Sequence, residues 1–194
     1  MNVIMEKQKF FTYLLFIFAA YFLQIYVIYP AEMALRSDPY VSSVSYVFIP
    51  HGMKVLYALI LGPTAFIYIF LAQLLFGLLG IGLSLTTVTG AFIGAASTVI
   101  PILMINASLK RPLSSAPVDG ELIKINVLWL FFSVSLMASF INGLSHQILF
   151  DFETNYFQFM MIIGDMIGSV VIFVLFIFIF RPLMNAFILV KKYE

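Results

Sequence analysis

The sequence predicts an all-α fold, a polytopic transmembrane helical bundle of about six spans with both termini cytoplasmic. Three observations carry that prediction. The chain is 63% hydrophobic and only 10% charged over 194 residues, whereas a soluble domain carries about 25% charged residues. Six runs approach the roughly 20 apolar residues that a bilayer crossing needs. The basic residues fall almost entirely on one side of the loops those runs define, as cytoplasmic loops require.

The first run, Phe10–Tyr29, is longer than the apolar core of a signal peptide. No small-x-small cleavage site follows it before Pro30, so it reads as a retained helix. The second, Val44–Leu61, contains Pro50-His51-Gly52, which is expected to interrupt it. The third, Pro63–Gly82, is separated from the second by little more than Gly62-Pro63. The fourth is Thr86–Ser108, the fifth Ile125–Phe150 and the sixth Tyr156–Phe180. A last apolar piece, Leu183–Val190, extends the sixth past a kink at Pro182 or lies in the interface. The hydrophilic stretch Lys110–Lys124 reads as a cytoplasmic linker, too short to be a domain, so residues 1–194 form a single integral membrane domain.

With six spans, Lys7 and Lys9, then Lys110, Arg111 and Lys124, then Arg181, Lys191 and Lys192, share one side. The other side has only Arg36, together with Glu32, Asp38, Asp151 and Glu153. That is the positive-inside pattern, and an odd number of spans would scatter the charges. Trp129, Tyr26, Tyr29, Tyr40 and Tyr156 lie near span ends, as interfacial aromatics do. There is no basic stripe for nucleic acid. Zero cysteines exclude disulfides and thiolate metal sites. No phosphate loop, nucleophile elbow or paired-histidine metal motif is present, so the expectation is no enzyme, no cofactor and no metal.

Small residues mark where helices touch. Gly90 and Gly94, with Ala95 and Thr98, make one smooth face on the fourth span, and Gly164 and Gly168 do so on the sixth. Such spacing lets backbones approach closely. Packing within the bundle is the expected use, and a dimer interface is the alternative.

The most informative residues are polar ones inside apolar runs: His51, Lys54, Gln73, Asn142, His146 and Asp165. Placing Asp or Lys at the centre of a bilayer costs about 2.5–3.5 kcal/mol on insertion scales, so each needs a partner, a ligand or water. At about 1.5 Å per residue, His51, Lys54 and Asp165 lie roughly 10, 15 and 13 Å below the outer surface. Asn142 and His146 fall in the outer half and Gln73 near the middle. If their helices are neighbours, these residues line a polar pocket open to the outside.

At Pro50 the helical ladder lacks an N–H, and Gly52 adds backbone freedom. A helix restarting there presents free N–H groups that favour an anion, with Lys54 adding a full charge. The alternative is a plain proline kink with Lys54 paired to Asp165. His146 and Asn142 read more readily as hydrogen-bonded structural groups, and Phe173, Phe176, Phe178 and Phe180 as lipid-facing bulk.

The stretch Phe48-Ile49-Pro50-His51-Gly52 is similar to the aromatic-x-Pro-x-Gly segment of bacterial MASE1-type sensory membrane domains. Gly164-Asp165-Met166-Ile167-Gly168, followed by Pro182-Leu183, resembles the Gly-Asp-x-x-Gly and Pro-Leu of the same family. The resemblance covers about two-thirds of the chain and carries over to Pro50, Gly52, Gly164, Asp165 and Gly168. It implies a polytopic sensor of the bacterial inner membrane, followed by a kinase or cyclic-dinucleotide output domain. This chain has fewer spans than is usual there and stops at Glu194, so a stand-alone member acting through a protein partner in the membrane is expected.

The functional expectation is a sensor-like or accessory protein of the bilayer that binds a small ligand, anions favoured, in the outer half of the bundle. The alternatives are a membrane subunit of a small-molecule transporter and a structural subunit of a larger membrane complex.

Overall fold

The computed structural model describes residues 2–35, 45–80, 82–109, 125–150 and 155–180, and every regular element among them is a helix. Helix α1 (Asn2–Leu23) runs through a wide π turn (Gln24–Ile28) into α2 (Tyr29–Leu35). Helices α3 (Ile49–Leu61) and α4 (Ala65–Gly80) are joined by one 3₁₀ turn (Gly62–Thr64). Then come α5 (Leu85–Leu109), α6 (Ile125–Phe150) and α7 (Asn155–Leu175), the last ending in a second π turn (Phe176–Phe180). Five helical stretches are long and apolar enough to cross a bilayer: Phe11–Leu35, Ile49–Gly80, Leu85–Ser108, Leu128–Leu149 and Gln158–Phe178.

The second stretch folds back on itself. The Tyr13 ring meets Tyr57 on α3 and Tyr68 on α4, at centroid distances of 5.5 and 5.7 Å. Two turns further along α1, Tyr21 meets Phe48, just before α3, and Phe76 on α4, at 6.2 and 5.3 Å. Helices α3 and α4 are therefore antiparallel. The reversal sits at Gly62, whose φ of 62° and ψ of −142° suit glycine and strain a residue with a Cβ.

Helix α3 is the axis of the bundle. It touches α1, α4, α5, α6 and α7, while the other helices pack in the order α1, α4, α5, α6, α7 around it. Nine of its thirteen residues are buried, which is why a short helix can carry both His51 and Lys54 away from the outer surface. The surrounding helices turn small and polar residues inward at helical spacing. On α6 these are Ser135, Ala138, Ser139, Asn142 and Gly143, and on α7 Gly164, Asp165, Gly168 and Ser169. Outward they present Phe11, Phe22, Leu79, Phe92, Trp129, Phe140, Phe159 and Phe178, all more than half exposed. Apolar outside and polar inside is the reverse of a water-soluble bundle.

Glycines set the α3–α7 crossing. A Cβ on Gly52 would stand 2.7 Å from the Gly168 carbonyl oxygen and from the Ser169 Cα. One on Gly164 would strike the Ser45 carbonyl, and one on Gly168 the Phe48 carbonyl. These obstacles are backbone and cannot rotate aside. The Gly164–Gly168 face is thus used inside the bundle. On α5, Gly94 lies under the Gln73 amide, whereas Gly90 faces open space within the single chain, where the dimer alternative would use it. A glycine face read from spacing alone does not say which of its ends reaches a neighbour.

Three further expectations are corrected. The second span does not start at Val44: among the described residues helix begins at Ile49, after the non-helical Ser45–Phe48. Pro50-His51-Gly52 does not interrupt it, because Pro50 occupies the first turn, where a missing N–H costs nothing. Phe173 is not simply lipid-facing bulk, since it packs on Phe131 and Phe132 at 5.0 and 6.0 Å. The linker Lys110–Lys124, the piece Leu183–Val190, and the charges at Arg36, Asp38, Asp151, Glu153, Arg181, Lys191 and Lys192 lie outside the described residues.

The crossing gives a direct comparison. Gly168→Val should lower stability by at least the 1–3 kcal/mol typical of overpacking, read as unfolding midpoint in detergent micelles. Gly90→Val should stay near wild type. Equal tolerance at both positions would contradict the packing described.

Candidate functional site

The site begins with the way the chain enters α3. Ser45–Phe48 is irregular backbone between α2 and α7, and its N–H groups find partners one by one. Tyr46 and Val47 donate to the two oxygens of Glu32, at 3.1 and 2.8 Å. Phe48 N–H donates to the Gly164 carbonyl at 2.9 Å. Ile49 N–H, at the start of the helix, donates to Gln24 Oε1 at 3.0 Å, and His51 N–H reaches the Phe48 carbonyl at 3.2 Å. The other end of the Gln24 amide donates to the Ser45 hydroxyl at 2.8 Å, and that hydroxyl donates to the Glu32 carboxylate at 2.9 Å. The π turn of α1 places Gln24 for this, buried although it interrupts an apolar run.

This arrangement overturns one expectation. The N–H groups of Ile49 and His51 at the start of α3 are held by Gln24 and by the chain itself, so they do not form an open anion cradle. Neither Gln24 nor Glu32 was singled out from sequence as a site residue. Gln24 was legible in principle as the one amide in the Phe10–Tyr29 run.

Below the entry, His51 stands at the centre of a fully buried cluster. Its Nδ1 lies 3.1 Å from Asp165 Oδ2 on α7. The approach is off the N–H axis, so the two atoms form a close electrostatic pair with no aligned hydrogen bond. Its Nε2 lies 3.1 Å from the Ser139 hydroxyl and 3.2 Å from the Ser135 carbonyl, both on α6. The Ser135 hydroxyl continues the chain to Ser169 on α7 at 2.7 Å. Ser135, Ser139, Asn142 and His146 form one stripe along α6 by their spacing, and the two serines are additions to the site expected from sequence.

Asp165 therefore pairs with His51 and not with Lys54. Lys54 is 1% exposed, and its amine lies 6.0 Å from the centre of the Phe48 ring. A helical side chain leans toward the helix N-terminus, which brings this amine back toward His51. Its charge acts on His51, on Asp165 and on His146. Of the six polar residues expected to line one pocket, His51 and Asp165 are in direct contact.

His146 is half-buried and its Nδ1 donates to the Asn142 carbonyl at 2.9 Å. Gln73 lies across Gly94 beside the buried Tyr21, which sequence reasoning had not marked. Besides Asp165 Oδ2, three buried oxygens have no aligned hydrogen-bond partner among the described residues: Asn142 Oδ1, and Tyr21 Oη and Gln73 Oε1, whose side chains lie within reach of each other. They come from α1, α4 and α6, three helices that pack against α3. Among the described residues no three histidine, aspartate or glutamate side chains gather as metal ligands.

No protein family, curated protein or solved structure matches this chain.

The His51–Asp165 pair has a thermodynamic consequence. Leaving one partner of a buried polar pair unsatisfied costs about 1–3 kcal/mol, so Asp165→Asn and His51→Gln should each destabilise the fold. Their double mutant should lose less than the sum, by about 0.5–3 kcal/mol. Unfolding in mixed micelles measures the cycle, and strict additivity would argue against the pair.

Proposed function

We propose that the chain is a six-crossing protein of the bacterial inner membrane, with both termini cytoplasmic, that acts as a sensor-like or accessory protein by binding a small polar ligand around α3. The topology is supported by the antiparallel α3–α4 hairpin, a fold-back within Ile49–Gly80, and by the one-sided basic residues of the sequence.

The binding reading rests on one observation. The oxygens of Tyr21, Gln73 and Asn142 are buried around the central helix, Tyr21 and Gln73 within reach of each other and Asn142 Oδ1 without a hydrogen-bond partner among the described residues. Each such atom costs about 1–3 kcal/mol if it stays unpaired. A ligand bearing hydrogen-bond donors relieves that cost, and Lys54 gives a counter-charge for any acidic group the ligand carries. Because the first turn of α3 is closed by Gln24, selectivity for anions rests on Lys54 alone.

The likeness to MASE1-type domains fits this reading by position. Gly52, Gly164, Gly168 and Asp165 meet at the α3–α7 crossing, with Pro50 in the turn that leads into it. A transporter subunit is the second reading, favoured by the irregular backbone at Ser45–Phe48, packed against α7 just before the central helix. Transporters build midplane sites from discontinuous helices.

Two experiments test the proposal. The chain has no cysteine, so single cysteines report sidedness without background. Thr64→Cys should be labelled by a membrane-impermeant thiol reagent only from the cytoplasmic side, and Leu83→Cys only from the outside. Protection of Thr64→Cys from both sides would mean that Ile49–Gly80 is a re-entrant hairpin whose tip stays inside the membrane.

Native mass spectrometry of the purified protein should show a small polar molecule retained by wild type and lost in Asn142→Leu and Gln73→Leu. If wild type retains nothing and both variants are more stable than it, the polar atoms serve helix packing and the protein is a structural subunit.

A further inference from the structure

The backbone just before α3 grips a carboxylate. Tyr46 N–H donates to one oxygen of Glu32 at 3.1 Å and Val47 N–H to the other at 2.8 Å, and the Ser45 hydroxyl lies 2.9 Å from both. Backbone donors on both oxygens suit a carboxylate, which only accepts. An amide in its place would set its own N–H against one of them.

These donors are held in place by groups outside α2. Phe48 N–H bonds to the Gly164 carbonyl on α7, Ile49 N–H to Gln24 Oε1, and Gln24 Nε2 to the Ser45 hydroxyl. Gln24 belongs to the π turn and is buried. The chain on either side of the donors is therefore fixed without any contribution from Glu32, so the arrangement outlasts its withdrawal.

Glu32 is less firmly placed than the donors it meets. It sits on α2, a helix with no buried residue, which packs on the π turn leading into it. The last residue of α2, Leu35, is 88% exposed. The bonds of Glu32 tie this short helix to the entry of α3. Tyr46 is exposed, and Glu32, Ser45 and Val47 are half-buried, so the contact lies at the rim of the protein and not in its sealed core. On the six-crossing reading this rim is at the outer face.

We propose that Ser45, Tyr46 and Val47 form a binding site for a carboxylate, and that Glu32 is its tethered occupant. When α2 swings away on the π turn, the site is open to a small carboxylate from the outside. A tethered group competes at an effective concentration in the millimolar range or above, so a weak monocarboxylate does not enter while Glu32 is seated. The exchange replaces one set of hydrogen bonds by an equal set and makes or breaks no covalent bond. The site is separate from the polar atoms around α3 and stands whether or not a molecule binds there.

Chemical rescue tests it. Full-length protein in lipid nanodiscs is followed by hydrogen exchange at the Tyr46 and Val47 amides, with sodium acetate as the probe and sodium chloride at matched ionic strength as the control. Glu32→Ala should exchange these amides at least about tenfold faster than wild type, as expected for losing a hydrogen bond to a charged group. Acetate should restore their protection and chloride should not. Glu32→Ser leaves similar space and covers the case in which the alanine variant does not fold. Wild type, with its seat taken, should not respond to the same acetate series, and neither should Glu32→Gln, whose amide fills the space. A nitroxide on Leu35→Cys should be more mobile in Glu32→Ala and should stay mobile in acetate, because acetate fills the seat without being attached to α2. Glu32→Ala and Glu32→Ser amides that acetate leaves unprotected, or that chloride protects equally, would overturn the proposal. So would a wild-type response to acetate as large as that of the variants, which would place the acetate elsewhere.

Discussion

The architecture depends on the crossing of α3 over the glycine face of α7. Gly52, Gly164 and Gly168 let backbone meet backbone, closely enough for Phe48 N–H to bond across to the Gly164 carbonyl. That approach carries His51 onto Asp165. It also makes room for four non-helical residues at the depth of helical neighbours, where irregular backbone survives only when protein supplies its hydrogen bonds. Glu32, Gln24 and Gly164 supply them from both sides, so the segment is held between the Gln24–Glu32 stretch and α7.

Once α3 is the axis, the rest of the polar chemistry follows. An outer helix could not carry a lysine and a histidine inside an apolar run without turning one of them to the outer surface. A central helix can, because five others screen it. Those screening helices then have to offer polar atoms inward, and the serine, asparagine and glycine residues of α6 and the Asp165 turn of α7 do so. Packing and polarity are one constraint here: small residues bring backbones close, and the same closeness shortens the reach between polar side chains.

Much of the helical layout was legible in the sequence, because apolar run length and turn residues act locally. Runs Thr86–Ser108, Ile125–Phe150 and Tyr156–Phe180 match α5, α6 and α7 with its π turn to within a residue or two. The entry to α3 was misjudged, because Val44–Leu61 looks apolar throughout. What keeps Ser45–Phe48 out of the helix is Gln24 and Glu32, more than a dozen residues upstream.

For the site, the depth argument grouped His51, Lys54 and Asp165 correctly, since rise per residue is fixed by helix geometry. It could not choose between Lys54 and His51 as the carboxylate's partner. That choice depends on helix rotation, and His51 and Lys54 are less than a turn apart on α3. Ser135 and Ser139 were overlooked because serine is common inside apolar helices, and only a neighbour's histidine gives these two a role.

Asp165, His51 and Ser139 stand in the order of a hydrolytic charge relay, yet the geometry directs them elsewhere. A nucleophilic serine needs a substrate carbonyl beside it and donors ready for the developing oxyanion. Ser139 is fully buried in the interior of α6, where backbone N–H groups are committed to the helix. Its histidine nitrogen is shared with a carbonyl oxygen, an acceptor that competes with the serine for the ring and is of no use to a general base.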